Sequence, residues 1–137
     1  MRYFTFDELL HSGVAEQNYI VNLPFVYGEL HVYQNLTTLV GKLLDPIRER
    51  FAVPMIVTSG YRCQRLNELL GGAVNSQHRT GMAIDFYFSG FTTREMTQAF
   101  LEIEDEFDFD QLICYRKRRF MHISYNEGSN RHEAFIK

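Results

Sequence analysis

The sequence predicts an α+β fold, an antiparallel sheet with flanking helices. Helical periodicity dominates the first half of the chain, and short apolar, β-branched runs dominate the second. The last two of those runs are separated only by Arg116-Lys117-Arg118-Arg119, a connection short enough for a hairpin. Both features favour an antiparallel sheet over a doubly wound one. The 137 residues suit one domain covering 1–137, and 45% hydrophobic with 23% charged residues supply a packed core.

Thr5 with Glu8 three residues on is a capping-box pattern, which opens a first helix that stops before Ser12-Gly13. Residues 14–28 carry Asn, Pro and Gly without a clear period and read as an irregular arm, so that 1–28 is a short helix plus arm. Leu36, Leu39, Val40, Leu43, Leu44 and Ile47 recur at helical spacing and predict one amphipathic helix from about 29 to 50. Pro46 inside it predicts a kink, or a restart capped by Asp45. Met55 to Thr58, bounded by Pro54 and Ser59-Gly60, reads as a strand. Gln64 to Leu70 is a short helix ended by Gly71-Gly72, and Ala83 to Phe88 a second strand. Thr92 with Glu95 opens a helix to about Glu106. Leu112 to Tyr115 and Phe120 to Tyr125 complete the sheet.

A net charge of −3 argues against a nucleic-acid partner bound by broad phosphate neutralisation. No apolar run approaches the roughly 20 residues of a membrane helix, so no membrane association is expected. The opening Met-Arg-Tyr-Phe-Thr-Phe-Asp-Glu lacks the apolar core of a signal peptide, and a cytoplasmic location as synthesised is the expectation. Cys63 and Cys114 are too few for a disulfide framework and read as reduced, mostly buried residues. The acidic run Glu102 to Asp108 and the basic run 116–119 read as a solvated surface.

Three residues make a possible metal constellation. His78 lies in the polar loop Ser76-Gln77-His78-Arg79-Thr80-Gly81, while Asp85 and His122 interrupt apolar strands. Zinc takes imidazole nitrogen and carboxylate oxygen, and catalytic sites use three protein ligands with a fourth position left for water. A buried carboxylate must be paired or metal-bound. The alternative is structural: each His a hydrogen-bonded core residue, and Asp85 a brace for Ser59-Gly60-Tyr61-Arg62.

The ordered set Ser59-Gly60-Tyr61-Arg62, Leu66-Asn67, Gly71-Gly72-Ala73, Ser76-x-His78-x-x-Gly81-x-Ala83-x-Asp85, Phe109-Asp110-Gln111-Leu112-Ile113 and His122-Ile123-Ser124-Tyr125 resembles the M15 zinc peptidases. That family includes D-Ala-D-Ala carboxypeptidases, vancomycin-resistance dipeptidases and phage endolysins, and the likeness to small M15A-type domains runs from about Leu36 to Tyr125. It implies a Hedgehog/DD-peptidase-like fold and a Zn2+ ion on His78, Asp85 and His122. Arg62 then polarises the scissile carbonyl or holds substrate, as a permanently charged guanidinium suits an oxyanion; its structural alternative is a salt bridge. Ser76 matches a serine that binds the substrate's terminal carboxylate; its alternative is a turn-forming hydroxyl. The implied reaction is hydrolysis of peptidoglycan stem peptides next to D-Ala, by a monomer that works with phage lysis or tail proteins and reaches the wall by phage-dependent release. A catalytically silent wall-peptide-binding module, or a phage structural component, is the rival reading.

One departure from the family matters. Where well-studied members carry a general base three residues before the last zinc His, this chain has Arg119, which cannot accept a proton. Asp108, Asp110, Glu127, His132 and Glu133 are the other candidates. Glycines 71, 72 and 81 read as backbone devices, Asn67 and Asn75 as loop stitches, and Gln111 as either a site neighbour or a sheet-edge residue.

Overall fold

The computed structural model describes residues 1–137. At its start the Thr5 hydroxyl accepts the Glu8 N–H while the Glu8 carboxylate accepts the Thr5 N–H, and this box opens α1 (Phe6–Leu10). Ser12 caps α2 (Gly13–Gln17) by accepting the Ala15 N–H, and a 3-10 turn follows at Pro24–Tyr27. The segment expected to be an irregular arm thus contains two short helical stretches. Neither is long enough to show a period, which is why only the Ser12 cap marks them in the sequence.

The long helix is continuous but not uniform. α3 (His31–Leu39) passes through a π turn at Val40–Leu44 into α4 (Asp45–Phe51), with right-handed helical backbone at each junction. Pro46 lacks an N–H and its ring crowds the carbonyl four residues back; the wider π turn just upstream makes the room. Asp45 does not cap a restart. Its carboxylate accepts the backbone N–H groups of Arg2 at 2.7 Å and Tyr3 at 3.0 Å, pinning the chain start to the helix. Leu36, Leu39, Val40, Leu43, Leu44 and Ile47, the stripe seen in the sequence, are all fully buried.

The strands are β1 (Met55–Ser59), β2 (Ala83–Phe88), β3 (Gln111–Tyr115), β4 (Phe120–Ser124) and β5 (Glu133–Ile136). α5 (Gln64–Leu69) and a 3-10 turn at Gln77–Thr80 lie between β1 and β2, and α6 (Thr93–Glu106) between β2 and β3. The spatial order is β1-β2-β4-β3-β5. Every pairing is antiparallel except β3 with β5, which is parallel, so the sheet is mixed where an antiparallel one was expected. β5 carries no alternation in the sequence because it is an edge strand, with Phe135 and Ile136 exposed.

One face of the sheet is apolar. Phe86, Phe88, Leu112, Cys114, Met121 and Ile123 join a single core with Met96, Ala99, Phe100 and Ile103 of α6 and the stripe of α3–α4. Because side chains alternate along a strand, Asp85, Gln111 and His122 fall on the opposite face, which the core helices leave open. No helix is long and apolar enough to cross a membrane. Cys63 and Cys114 are buried free thiols, as expected.

Candidate metal centre

Antiparallel pairing sets Asp85 of β2 directly opposite His122 of β4. Residues so placed project from one face with Cβ atoms about 4.5–5.5 Å apart. On the other flank a bulge between Val57 and Ser59 brings Ser59 opposite Asp85 and re-aims the chain into Gly60-Tyr61-Arg62. His78 arrives from outside the sheet, on the 3-10 turn. The Ser76 hydroxyl caps that turn by accepting the His78 N–H at 3.2 Å, and Gln77 donates to Asp110 Oδ2 at 2.9 Å.

The donor atoms of His78, Asp85 and His122 lie within 4.8 Å of one another. Asp85 Oδ1 is 2.9 Å from His122 Nδ1 and 3.3 Å from His78 Nε2. The other nitrogen of His78, Nδ1, donates to the Gly60 carbonyl at 2.8 Å. A carbonyl can only accept, so Nδ1 carries a proton, and Nε2 is the nitrogen left to donate to Asp85 when protonated or to hold a metal when not. Burial alone would push the Asp85 carboxyl up. The hydrogen bonds and charge of His122 and His78 outweigh it and hold the group well below the usual carboxylate range. Two imidazoles and one ionised carboxylate are a three-ligand set that zinc accepts, and adjacent ligands of a tetrahedral zinc stand about 3.3 Å apart. The residues therefore fit a metal of that kind.

Arg62 takes the opposite side of the same carboxylate. Its Nη2 is 3.5 Å from Asp85 Oδ2, its Nε donates to the Ser59 hydroxyl at 3.1 Å, and Nη1 donates to Asn67 Oδ1 at 3.4 Å. Asn67 donates in turn to the Ala73 carbonyl at 2.8 Å. A Cβ on Gly72 would overlap that Asn67 side chain, so the glycine makes room for the Arg62 support. Gly60 is required more strictly, since a Cβ there would run into the backbone carbonyl of Leu9. Arg62 is thus both salt-bridged and presented to the cleft, and Ser76 is a turn-capping hydroxyl that also lines the cleft.

Arg62, Ser76, His78, Asp85 and His122 share one cleft of about 1260 Å³. Asp85 is the only carboxylate on its wall. Asp108, Asp110, Glu127, His132 and Glu133 all lie off it. Asp110 is buried as a brace, accepting the Arg131 N–H at 2.9 Å, Arg131 Nε at 3.0 Å and Arg131 Nη2 at 3.1 Å. His132 stacks on Phe109 with Nε2 2.9 Å from the Glu104 carbonyl, and Glu133 is 3.3 Å from Gln111 Nε2. Arg119 lines the cleft from the β3–β4 turn.

Asn22 and Gln77 are the supporting residues that the sequence does not disclose. Buried Asn22 donates to the carbonyls of Leu10 at 2.9 Å and Tyr61 at 2.8 Å and accepts the Cys63 N–H at 2.8 Å, clamping the residues on both sides of Arg62. Its partners lie up to 41 positions away, so no local pattern marks it. A family model described as Peptidase M15 matches residues 2–124. No curated protein matches the chain.

Proposed function

The chain belongs to the peptidase M15 family and is of metallopeptidase type, and from that premise we propose that its metal is zinc and that it hydrolyses peptidoglycan stem peptides next to a D-alanine. The observation that carries this reading is the convergence of His78 Nε2 and His122 Nδ1 on Asp85 Oδ1, with the His78 proton held away by Gly60. When bound, zinc supplies Lewis-acid polarisation and lowers the pKa of attacking water. The chain's own residues do the remainder. Arg62, fixed by Ser59 and Asn67, offers N–H groups to the oxygen on which charge develops. Ser76 accepts the His78 N–H and keeps its own proton to donate to a substrate carboxylate. Action on the wall also requires release from the cell, for which phage-dependent lysis is the proposed route, with lysis or tail genes beside this one as its test.

A second reading is favoured by one observation. No carboxylate other than Asp85 lines the cleft, and Arg119 stands where the family's base would. A protein so built could bind wall peptide without cutting it. Digestion of purified muropeptides at full zinc occupancy, read by mass spectrometry, separates the two: new termini support the hydrolase, and binding without cleavage supports the silent module. The variant Arg119→Glu restores a carboxylate on the cleft wall. Its turnover is expected to rise by about 10²-fold or more, the usual worth of general-base help. An unchanged rate would assign proton acceptance to solvent.

A further inference from the structure

The cleft has the opposite sign to the molecule. The chain carries a net charge of −3, yet four arginines (62, 118, 119 and 131) line the cleft against the one carboxylate of Asp85. Two of the four are matched. Arg62 faces Asp85, and Arg131 is held by Asp110 and Glu133. Arg118 and Arg119 have no acidic partner. Arg119 donates through Nη2 to the Phe91 carbonyl at 3.2 Å, which orients its guanidinium and leaves the other donors unused. Arg118 lies over the Phe120 ring at 5.3 Å. Phe120 stacks on Tyr115 with centroids 4.6 Å apart, and both rings belong to the cleft wall. Arg118 thus rests on an aromatic floor, and both exposed guanidiniums keep N–H donors free for charge-assisted hydrogen bonds to an anion entering the cleft.

We propose that Arg118 and Arg119 form a carboxylate-binding subsite at the edge of the cleft, selecting peptides that carry an acidic side group near the bond cut over amidated ones. This rests on the peptidase reading of the same cleft. Arg119 (φ 61°) ends the β3–β4 turn directly before the strand that bears His122, and three residue steps place its Cα at most about 10 Å from that of His122. That span is the reach of a side-chain carboxylate one or two residues along an extended peptide. A guanidinium pair recognises a carboxylate by its fork of N–H donors, and an amide there offers neither the charge nor two equivalent acceptors.

The test uses the zinc-loaded protein and two synthetic stem pentapeptides ending in D-Ala-D-Ala. They differ only in whether the side-chain carboxyl of a third-position diaminopimelate is free or amidated. The wild type is expected to show a kcat/KM higher for the acidic peptide by about tenfold or more, the worth of one hydrogen bond to a charged group. Arg118→Gln/Arg119→Gln is expected to cut both at one rate, close to the wild-type rate on the amide, with an unchanged melting temperature. Equal wild-type rates on the two peptides, or a preference that survives in the double variant, would overturn the subsite. If neither peptide is cut, the hydrolase reading fails by itself. Equilibrium binding of the same pair then decides: tighter binding of the acidic peptide, lost in the double variant, supports the subsite, and equal binding overturns it.

Discussion

At the scale of single residues the centre depends on one carbonyl. Gly60 brings its oxygen to His78 Nδ1 only because the chain passes against the Leu9 backbone without a Cβ, and the Tyr61 N–H then donates to the Leu9 carbonyl at 2.9 Å. Gly60→Ala must push the two segments apart. The expected outcome is a loss of zinc affinity of about 10–100-fold, the usual effect of losing a ligand's outer hydrogen bond, measured by competition with a chromophoric chelator. Undiminished affinity would show that the Gly60 carbonyl does not orient the ring. The motif Ser59-Gly60-Tyr61-Arg62 was visible in the sequence, but the reason for its glycine was not, since Leu9 lies 51 positions upstream.

At the scale of elements, caps and stripes were legible because their causes are local. The Thr5–Glu8 and Thr92–Glu95 boxes both form as their spacing predicts. Thr92→Ala is expected to cost about 1 kcal/mol, whereas Leu43→Ala, in the fully buried stripe, is expected to cost about 2–5 kcal/mol. Urea titration of both variants checks the ratio; equal losses would mean that the long helix is less tightly packed than its burial indicates. The π turn and β5 were not legible. The first answers a proline through its packed surroundings, and the second is an edge strand paired on one side only, with β3.

At the scale of the whole molecule, two long-range ties join the centre to overall stability. The first is the buried Asp110 carboxylate, which holds Arg131 and, through Gln77, the turn that bears His78. The hydrogen bonds from Arg131 come first in lowering the Asp110 carboxyl below its usual range, against some opposing burial, with Gln77 adding to them. A depressed folded-state pKa contributes stability that is present above the unfolded value of about 3.9 and is lost as pH falls through the folded value. Asp110→Asn is therefore expected to be less stable than the wild type at neutral pH, with the gap closing below about pH 4. A gap independent of pH would remove the ion pair from the explanation. The second tie is the metal. His78, Asp85 and His122 come from a turn and two strands, so a metal ion would bind the folded chain in preference to the unfolded one. Free zinc at about 1,000 times its Kd is expected to add about 4 kcal/mol. Thermal melts should rise with zinc in the wild type and fall back on chelation, and His78→Ala should show no rise.

The sequence by itself determined the α+β class, the family resemblance, the long buried stripe and the identity of the three convergent donors. The class and the stripe are written in residue type and short spacing, whereas the donors were implied by the motifs that carry the resemblance. Only the tertiary structure decided which groups meet across distance. It set Asp85 opposite His122 by strand register, made Asp110 a brace for Arg131 and Gln77, and left Arg118 and Arg119 without acidic partners on a cleft wall. The acidic run Glu102 to Asp108 stands near them in the chain and does not compensate them. Glu102 and Glu106 pair instead with Arg50 of α4, because α6 packs its acidic side there. Charge neighbours in sequence are not charge partners once a helix has chosen the face it buries, and that choice belongs to the core.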